Sequence, residues 1–365
     1  MKLLVIILAL ALSACGIEGE APEKAPGTAV FEDVYADVSA RLLKVCAGAD
    51  RDCALSPFTF MTSCSMLCLG SGGRTRAQIE EAVGLDGLSL AMELDAFGTR
   101  LQDQDGLCTA GSLWTKAPVK TAYREMAGDL FFAEIKKGTD RDKIDRWAEN
   151  RTDGMIKEVT SGKTGPCVFV SAASMKAGFE EPFGKARGTF HGHGAAAGKA
   201  DMLRGTADEE ASLGAAEGFV KYYKGGALAL VCLLPEEGRD IKDFAMDIEG
   251  KDLIKLWESR APGRCPVCIP SFTADFGMDL TPCAEDMGIK DAFTKSADLS
   301  GISDKELHAG RFLHRAKVVI GGKKTAAAAS SLSTGKELVF DRPFFYEIVD
   351  VKTGLPVFIG IITGP

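Results

Sequence analysis

Few residues of this chain stand where they could do chemistry. Gly162-Lys163-Thr164 has the ending of a phosphate-binding loop, but Lys157 occupies the position where such a loop opens on glycine, so the backbone cradle is missing. His191 and His193 would face alike in a strand and could offer two metal ligands, yet the sequence suggests no third. Cys265 and Cys268 have the spacing of a thiol or zinc pair, without a second pair at zinc-site spacing. Gly192 to Gly198 is one residue too long for a dinucleotide fingerprint and follows no apolar strand. There is no Gly-x-Ser-x-Gly elbow, and nothing marks one of the four histidines as a general base. The expectation is no catalytic residue, no metal and no cofactor: the chain does not read as an enzyme.

The run Thr325-Ala-Ala-Ala-Ala-Ser-Ser331 does carry a mechanism. Small, uncharged side chains let a segment slide between two strands, whereas each bulky or charged inward residue would cost about 1–3 kcal/mol in clash or desolvation. His314-Arg-Ala316 precedes this run and Asp341-Arg-Pro-Phe-Phe345 follows it. Earlier in the chain come Leu55-Ser-Pro-Phe58, Met66-Leu-Cys-Leu-Gly70, Thr75-Arg-Ala-Gln-Ile79, Ala110-Gly-Ser-Leu-Trp114, Ile144-Asp-Arg-Trp147, Thr152-Asp-Gly-Met-Ile156 and Leu234-Pro235. Ile269-Pro-Ser-Phe272, Met287-Gly-Ile-Lys-Asp-Ala-Phe293, Ala297-Asp-Leu-Ser-Gly301 and Phe358-Ile-Gly360 complete the order. Together, over residues 30–365, these motifs resemble those of the serpin family.

The resemblance implies an α+β fold of three β-sheets with about eight to nine helices and an exposed reactive loop at about residues 322–338. It also implies a suicide inhibitor of serine, or cysteine, endopeptidases, working by loop cleavage and insertion of the freed hinge into the central sheet. The hinge residues carried over are Thr325, Ala327, Ala328, Ala329, Ser330 and Ser331. Ser56, Thr59, Ser171 and His314 match the polar shutter beneath that sheet, with Ser171 where the family has Asn. Two departures stand at the hinge: Lys324 replaces the usual Gly and Ala326 the usual Glu. The segment from Thr325 to Asp341 is also about six residues short, or about 20 Å of extended chain. The candidate scissile positions are Leu332, Lys336 and Leu338. Lys336 would suit a trypsin-like target, and either leucine a chymotrypsin- or elastase-like one. The short loop leaves a non-inhibitory serpin, acting as a binding or structural scaffold, as the alternative.

Periodicity outlines the elements that must hold the hinge. Phe31, Val34, Val38, Leu42 and Val45 recur at helical steps, and a second helix is expected over about Phe58 to Leu69. Thr75 and Gln78 read as a capping box opening a helix that closes at Gly84. Leu113-Trp114, Cys167 to Val170, Ala227 to Leu234 and Val318 to Ile320 read as interior strands. Phe344 to Val349 and Val357 to Ile362 form a hairpin turning on Lys352-Thr-Gly354.

Residues 1–14 read as a signal peptide, and Leu12-Ser-Ala-Cys15 as a lipobox with Cys15 the lipidated residue. Gly16 after the cysteine points to outer-membrane anchoring in a bacterial envelope. Residues 15–28 are then a solvated tether, and 29–365 one domain, expected to be a monomer whose partners are a target protease and, through its lipid, a membrane. A net charge of -8 gives no case for nucleic acid. Ten of the eleven cysteines remain after Cys15, and their pairing is left open.

Overall fold

Apolar runs long enough to be covered on both faces decide the framework. The structure, a computed structural model, describes residues 27–49, 51–159, 162–194, 197–321 and 337–364, without the side chains of residues 27–30. The first half contains α1 (Gly27–Gly48), α2 (Pro57–Leu69), α3 (Gly73–Val83), α4 (Gly87–Leu101), β1 (Leu107–Thr115), α5 (Thr121–Phe131), β2 (Glu134–Lys137), α6 (Arg141–Arg151) and β3 (Cys167–Met175). There follow β4 (Gly184–Phe190), β5 (Gly198–Thr206), β6 (Glu209–Leu213), β7 (Ala216–Tyr222), β8 (Leu228–Leu234), α7 (Ile241–Asp247), α8 (Gly250–Glu258), β9 (Ala261–Pro262), β10 (Pro266–Pro270) and β11 (Phe272–Asp279). The chain closes with α9 (Thr281–Asp286), β12 (Arg311–Ile320), β13 (Leu338–Val339), β14 (Phe344–Asp350) and β15 (Pro356–Ile362).

Among the described residues the strands form three sheets, in the orders β11-β12-β3-β1-β2, β13-β10-β5-β4 and β15-β14-β8-β7-β6-β9. The α+β architecture expected from the sequence is therefore present. Every residue of β3, β8, β14 and β15 is buried, which is why β8 and β15 read as continuous apolar runs and β3 and β14 as runs broken only by Ser171, Ser174, Glu347 and Asp350. Helix α2 is buried from Pro57 to Cys68 and packs against β1, β3 and β15, so it lies between the five-stranded and six-stranded sheets. Phe272 of β11 meets Phe344 and Tyr346 of β14 at ring separations of 5.8 and 5.2 Å and ties those two sheets together directly.

The C-terminal hairpin forms as expected. Gly354 turns it with φ +75°, and a Cβ there would lie 2.1 Å from Trp257, so the position needs glycine on both counts. The expected capping box does not form. Helix α3 begins earlier, at Gly73, capped by Gly72 without a side-chain bond. Thr75 and Gln78 instead accept backbone N–H groups of Asp298, and of Lys290 and Asp291, stitching the helix to a distant segment. Of the open cysteine pairings the structure selects Cys46–Cys53, which ties the end of α1 to the segment that bridges β15 at Leu55.

Among the described residues of the six-stranded sheet, one buried acid lacks a partner, unlike Asp350, which pairs with Arg100, and unlike the buried base Lys221, which pairs with Asp208. Glu347 of β14 is fully buried between Val231 and Ile359, and neither carboxyl oxygen has a hydrogen-bond partner. Burial pushes its pKa up from 4.5 to about 8, so the native state holds a neutral acid there. The native state therefore keeps a proton that the unfolded chain releases above its ordinary pKa. Stability should be greatest below about pH 4.5 on this account and decline as the pH rises toward 8, by at most about 1.4 kcal/mol per pH unit. Glu347→Gln should flatten this dependence in urea melts taken between pH 5 and about 9; an unchanged slope would refute it.

Candidate functional site

The hinge expected from the sequence would have to enter beside β12, and the structure shows what lies there. Strands β3 and β12 are hydrogen-bonded neighbours running parallel, in register from Arg311 opposite Val168 to Val318 opposite Met175. Parallel neighbours need a long crossover, here the whole stretch from Lys176 to Gly310. Strand β12 presents alternate residues to opposite sides of the sheet. Phe312, His314, Ala316 and Val318 are buried, while Arg315 and Lys317 pair with Asp275 of β11 on the more exposed side. At the end of the strand Gly321 takes φ +93°, the conformation in which the chain leaves the sheet.

Beneath this seam the four sequence-predicted polar residues come together. His314 lies opposite Ser171 in the β3–β12 ladder, and Ser56 caps α2, whose first turn carries Thr59. The Ser56 backbone N–H donates to His314 Nε2 at 3.1 Å. A backbone N–H can only donate, so Nε2 bears the lone pair and the ring proton sits on Nδ1. That proton points at Ser171 Oγ, 2.8 Å away, with Thr59 Oγ1 at 3.5 Å as a second acceptor. Thr59 is itself tied to Ser56 through Oγ1 to the Ser56 carbonyl, 3.3 Å, and through its N–H to Ser56 Oγ, 3.4 Å. Desolvation pushes the His314 pKa down to about 3, so the ring is neutral.

A second assembly on the other side of the seam was not expected from the sequence. Trp114 of β1, Val168 and Val170 of β3 and Leu313 of β12 share a small apolar cluster with Ile144 and Trp147 of α6, which lies across the strands. Trp114 and Trp147 stood in the sequence only as isolated motif letters; their edge-to-face contact at 6.4 Å is tertiary.

Hinge residues Thr325, Ala327, Ala328, Ala329, Ser330 and Ser331, with Leu332, Lys336 and Cys15, lie outside the described residues. Leu338 is described. It forms part of β13, paired with Val267 of β10, while neighbouring Glu337 bonds Arg204 at 2.8 Å and the Phe340 N–H reaches Cys268 O at 2.8 Å. Leu338 is thus held half-buried at a sheet edge and differs from the exposed, extended bond that a protease subsite takes.

Comparison with known proteins agrees on one family. The model of the family described as Serpin (serine protease inhibitor) matches residues 33–365. A serine protease inhibitor of Cyanea capillata is 24% identical over 87% of this chain and 93% of that protein, and neuroserpin of Gallus gallus is 23% identical over 94% of each. Among solved structures, the thermophilic serpin tengpin in its native state superposes with a TM-score of 0.82 at 22% identity, covering 96% of each chain.

The His314 cluster makes a stability prediction. The unfolded chain takes a proton near pH 6.5, whereas the native ring resists it until about 3, so stability should fall as the pH drops below 6.5, by at most about 1.4 kcal/mol per unit. Ser171→Ala removes the near acceptor of a buried N–H and leaves the more distant Thr59 Oγ1 to take its place, so it should lower the unfolding free energy by about 0.5–1.5 kcal/mol, the net worth of one hydrogen bond. Urea titrations of both proteins at several pH values check this, and equal midpoints would contradict the assigned network.

Proposed function

The chain belongs to the serpin (serine protease inhibitor) family, and from that premise we propose that it is a suicide inhibitor of serine, or cysteine, endopeptidases. In this reading the protease's own nucleophile attacks the carbonyl carbon of a bond in the segment after β12. The C–N bond breaks, the new amine leaves with a proton, and the upstream segment stays bound to the protease as an acyl-enzyme. The inhibitor supplies no catalytic group. The freed segment then enters between β3 and β12 and carries the protease along.

The observation that carries this reading is the side-by-side parallel pair β3–β12, with the chain leaving from one of its two members. A segment that turns back after β12 runs antiparallel to both neighbours, so its entry replaces one parallel ladder by two antiparallel ones. Short as it is, the segment can span the present ladder. Eight residue pairs make up the present ladder, about 26 Å at about 3.3 Å each, and Thr325 to Leu332 supplies eight residues. Cleavage after Leu332 would leave Ser333 to Lys336 to reach β13, which supports an apolar specificity residue and a chymotrypsin- or elastase-like target.

Lys324 and the short loop favour a second reading, a non-inhibitory serpin acting as a scaffold. Incubation with a panel of proteases decides between them. Inhibition should give a complex that survives boiling in detergent, with a cut after Leu332 by mass measurement and a sharp rise in thermal stability of the cleaved protein. Clean cleavage with no trapped protease and no stability gain would select the scaffold. We further propose display on an outer membrane through a lipid on Cys15, supported by the Leu12-Ser-Ala-Cys15 pattern. Cys15→Ser should move the protein from the membrane fraction to the soluble one; retention in membranes would exclude that anchor.

A further inference from the structure

Helix α6 separates charges that its sequence interleaves. Read along the chain, Asp142, Lys143, Asp145, Arg146, Glu149 and Arg151 mix the two signs. Wound at about 3.6 residues per turn, Asp142, Asp145 and Glu149 fall at i, i+3 and i+7 on one side, and Lys143, Arg146 and Asn150 at the same steps on another. The side with Lys143, Arg146 and Arg151 shares a groove of about 500 Å³ with Lys136 and Lys137 of the edge strand β2. Trp114 and Trp147 line it and are only 4% and 7% exposed.

Among the described residues Glu134 is the one carboxylate lining this groove, and it is fully engaged. It accepts from Trp147 Nε1 at 2.8 Å and from Arg151 Nε at 2.6 Å, and it pairs with Lys136. Against the opposing effect of burial, these bonds hold its pKa below the ordinary carboxylate value. The exposed side chains of Lys137, Lys143 and Arg146 form no ion pair with any described residue. Five cations thus face one neutralised carboxylate in a chain whose net charge is -8. Clustering like charges opposes folding unless an anion offsets the repulsion.

We propose that this groove binds a compact ligand carrying two or more phosphate or sulfate groups, free or as the headgroup of an anionic glycolipid. Its volume lies in the range of about 300–1,000 Å³ typical of small-molecule sites. An acidic peptide fits less well: the two tryptophans expose little apolar surface, and the Ile135 carbonyl that a docking strand would need already accepts from Arg124 at 2.7 Å. The planar guanidinium of Arg146 and the two lysine ammoniums suit oxyanions, and their attraction weakens as salt rises.

Calorimetric titration of the whole chain with sodium tripolyphosphate at low salt tests the site. Saturable one-to-one binding is expected. The double variant Lys143→Glu/Arg146→Glu should weaken it at least about tenfold, whereas Lys185→Glu/Arg187→Glu, an equal charge change on exposed positions of β4, should not. Absence of saturation, equal loss in both variants, or groove-dependent binding of poly-glutamate without tripolyphosphate would overturn the proposal. Flotation with vesicles carrying a phosphorylated glycolipid, compared with neutral vesicles, then identifies the source: groove-dependent capture assigns the headgroup, and binding of tripolyphosphate alone assigns a free anion.

Discussion

The parallel ladder between β3 and β12 is the constraint on which the remainder depends. Parallel neighbours cannot be joined by a turn, so the chain must travel through the other two sheets before it returns to lie beside its earlier strand. The centre of the five-stranded sheet is therefore closed by residues far apart in sequence, as the 258 positions between Ser56 and His314 show. Whatever follows β12 emerges next to a junction that only backbone bonds and a few side chains hold shut. Helix α2 from below and α6 from the other side supply those side chains, and both are fixed by apolar packing rather than by the seam itself.

Electrostatics at His314 and Glu347, two of the buried ionisable residues, runs in opposite directions for one reason. His314 gives up its proton and Glu347 keeps one because each is neutral in the form that burial favours. The consequences differ because their surroundings differ. Both ring nitrogens of His314 are matched, one as acceptor and one as donor, so its burial costs little once the network forms. Glu347 finds no partner for either oxygen, and its strand gains nothing from the carboxyl that a leucine would not provide.

Much of the framework could be read from the sequence because burial on both faces leaves a nearly continuous signal: Cys167 to Val170, Leu228 to Leu234 and Pro356 to Ile362 are apolar along their whole length, and Phe344 to Val349 is broken only by Glu347. Strands such as β4, with exposed and half-covered residues in turn, left no such trace. Thr75 and Gln78 misled because the capping pattern is the same whether the side chains fold back on their own helix or reach another segment. His314, Ser171, Ser56 and Thr59 could be grouped only through a family resemblance, since no local spacing connects them. Glu347 sits as one polar letter inside an apolar run, and the two-sided charge of α6 appears only when the helix is wound.

The polarity of the seam gives it a property that an apolar junction would lack. Opening β3 from β12 would break backbone bonds, but the incoming strand of the proposed mechanism would supply new N–H and C=O partners to both edges, so the ladder would be restored. The side-chain bond from His314 to Ser171 is not restored in that way, because the two residues oppose each other across the opening. Thr59 Oγ1, only 3.5 Å from the same Nδ1 and anchored on α2 rather than on either strand, offers the proton an alternative acceptor. A buried donor therefore need not be left unmatched while the strands part, and the penalty of about 1–3 kcal/mol for an orphaned group is avoided. Ser56 contributes in the same sense, since its backbone N–H holds Nε2 and keeps the proton on the nitrogen that faces both hydroxyls.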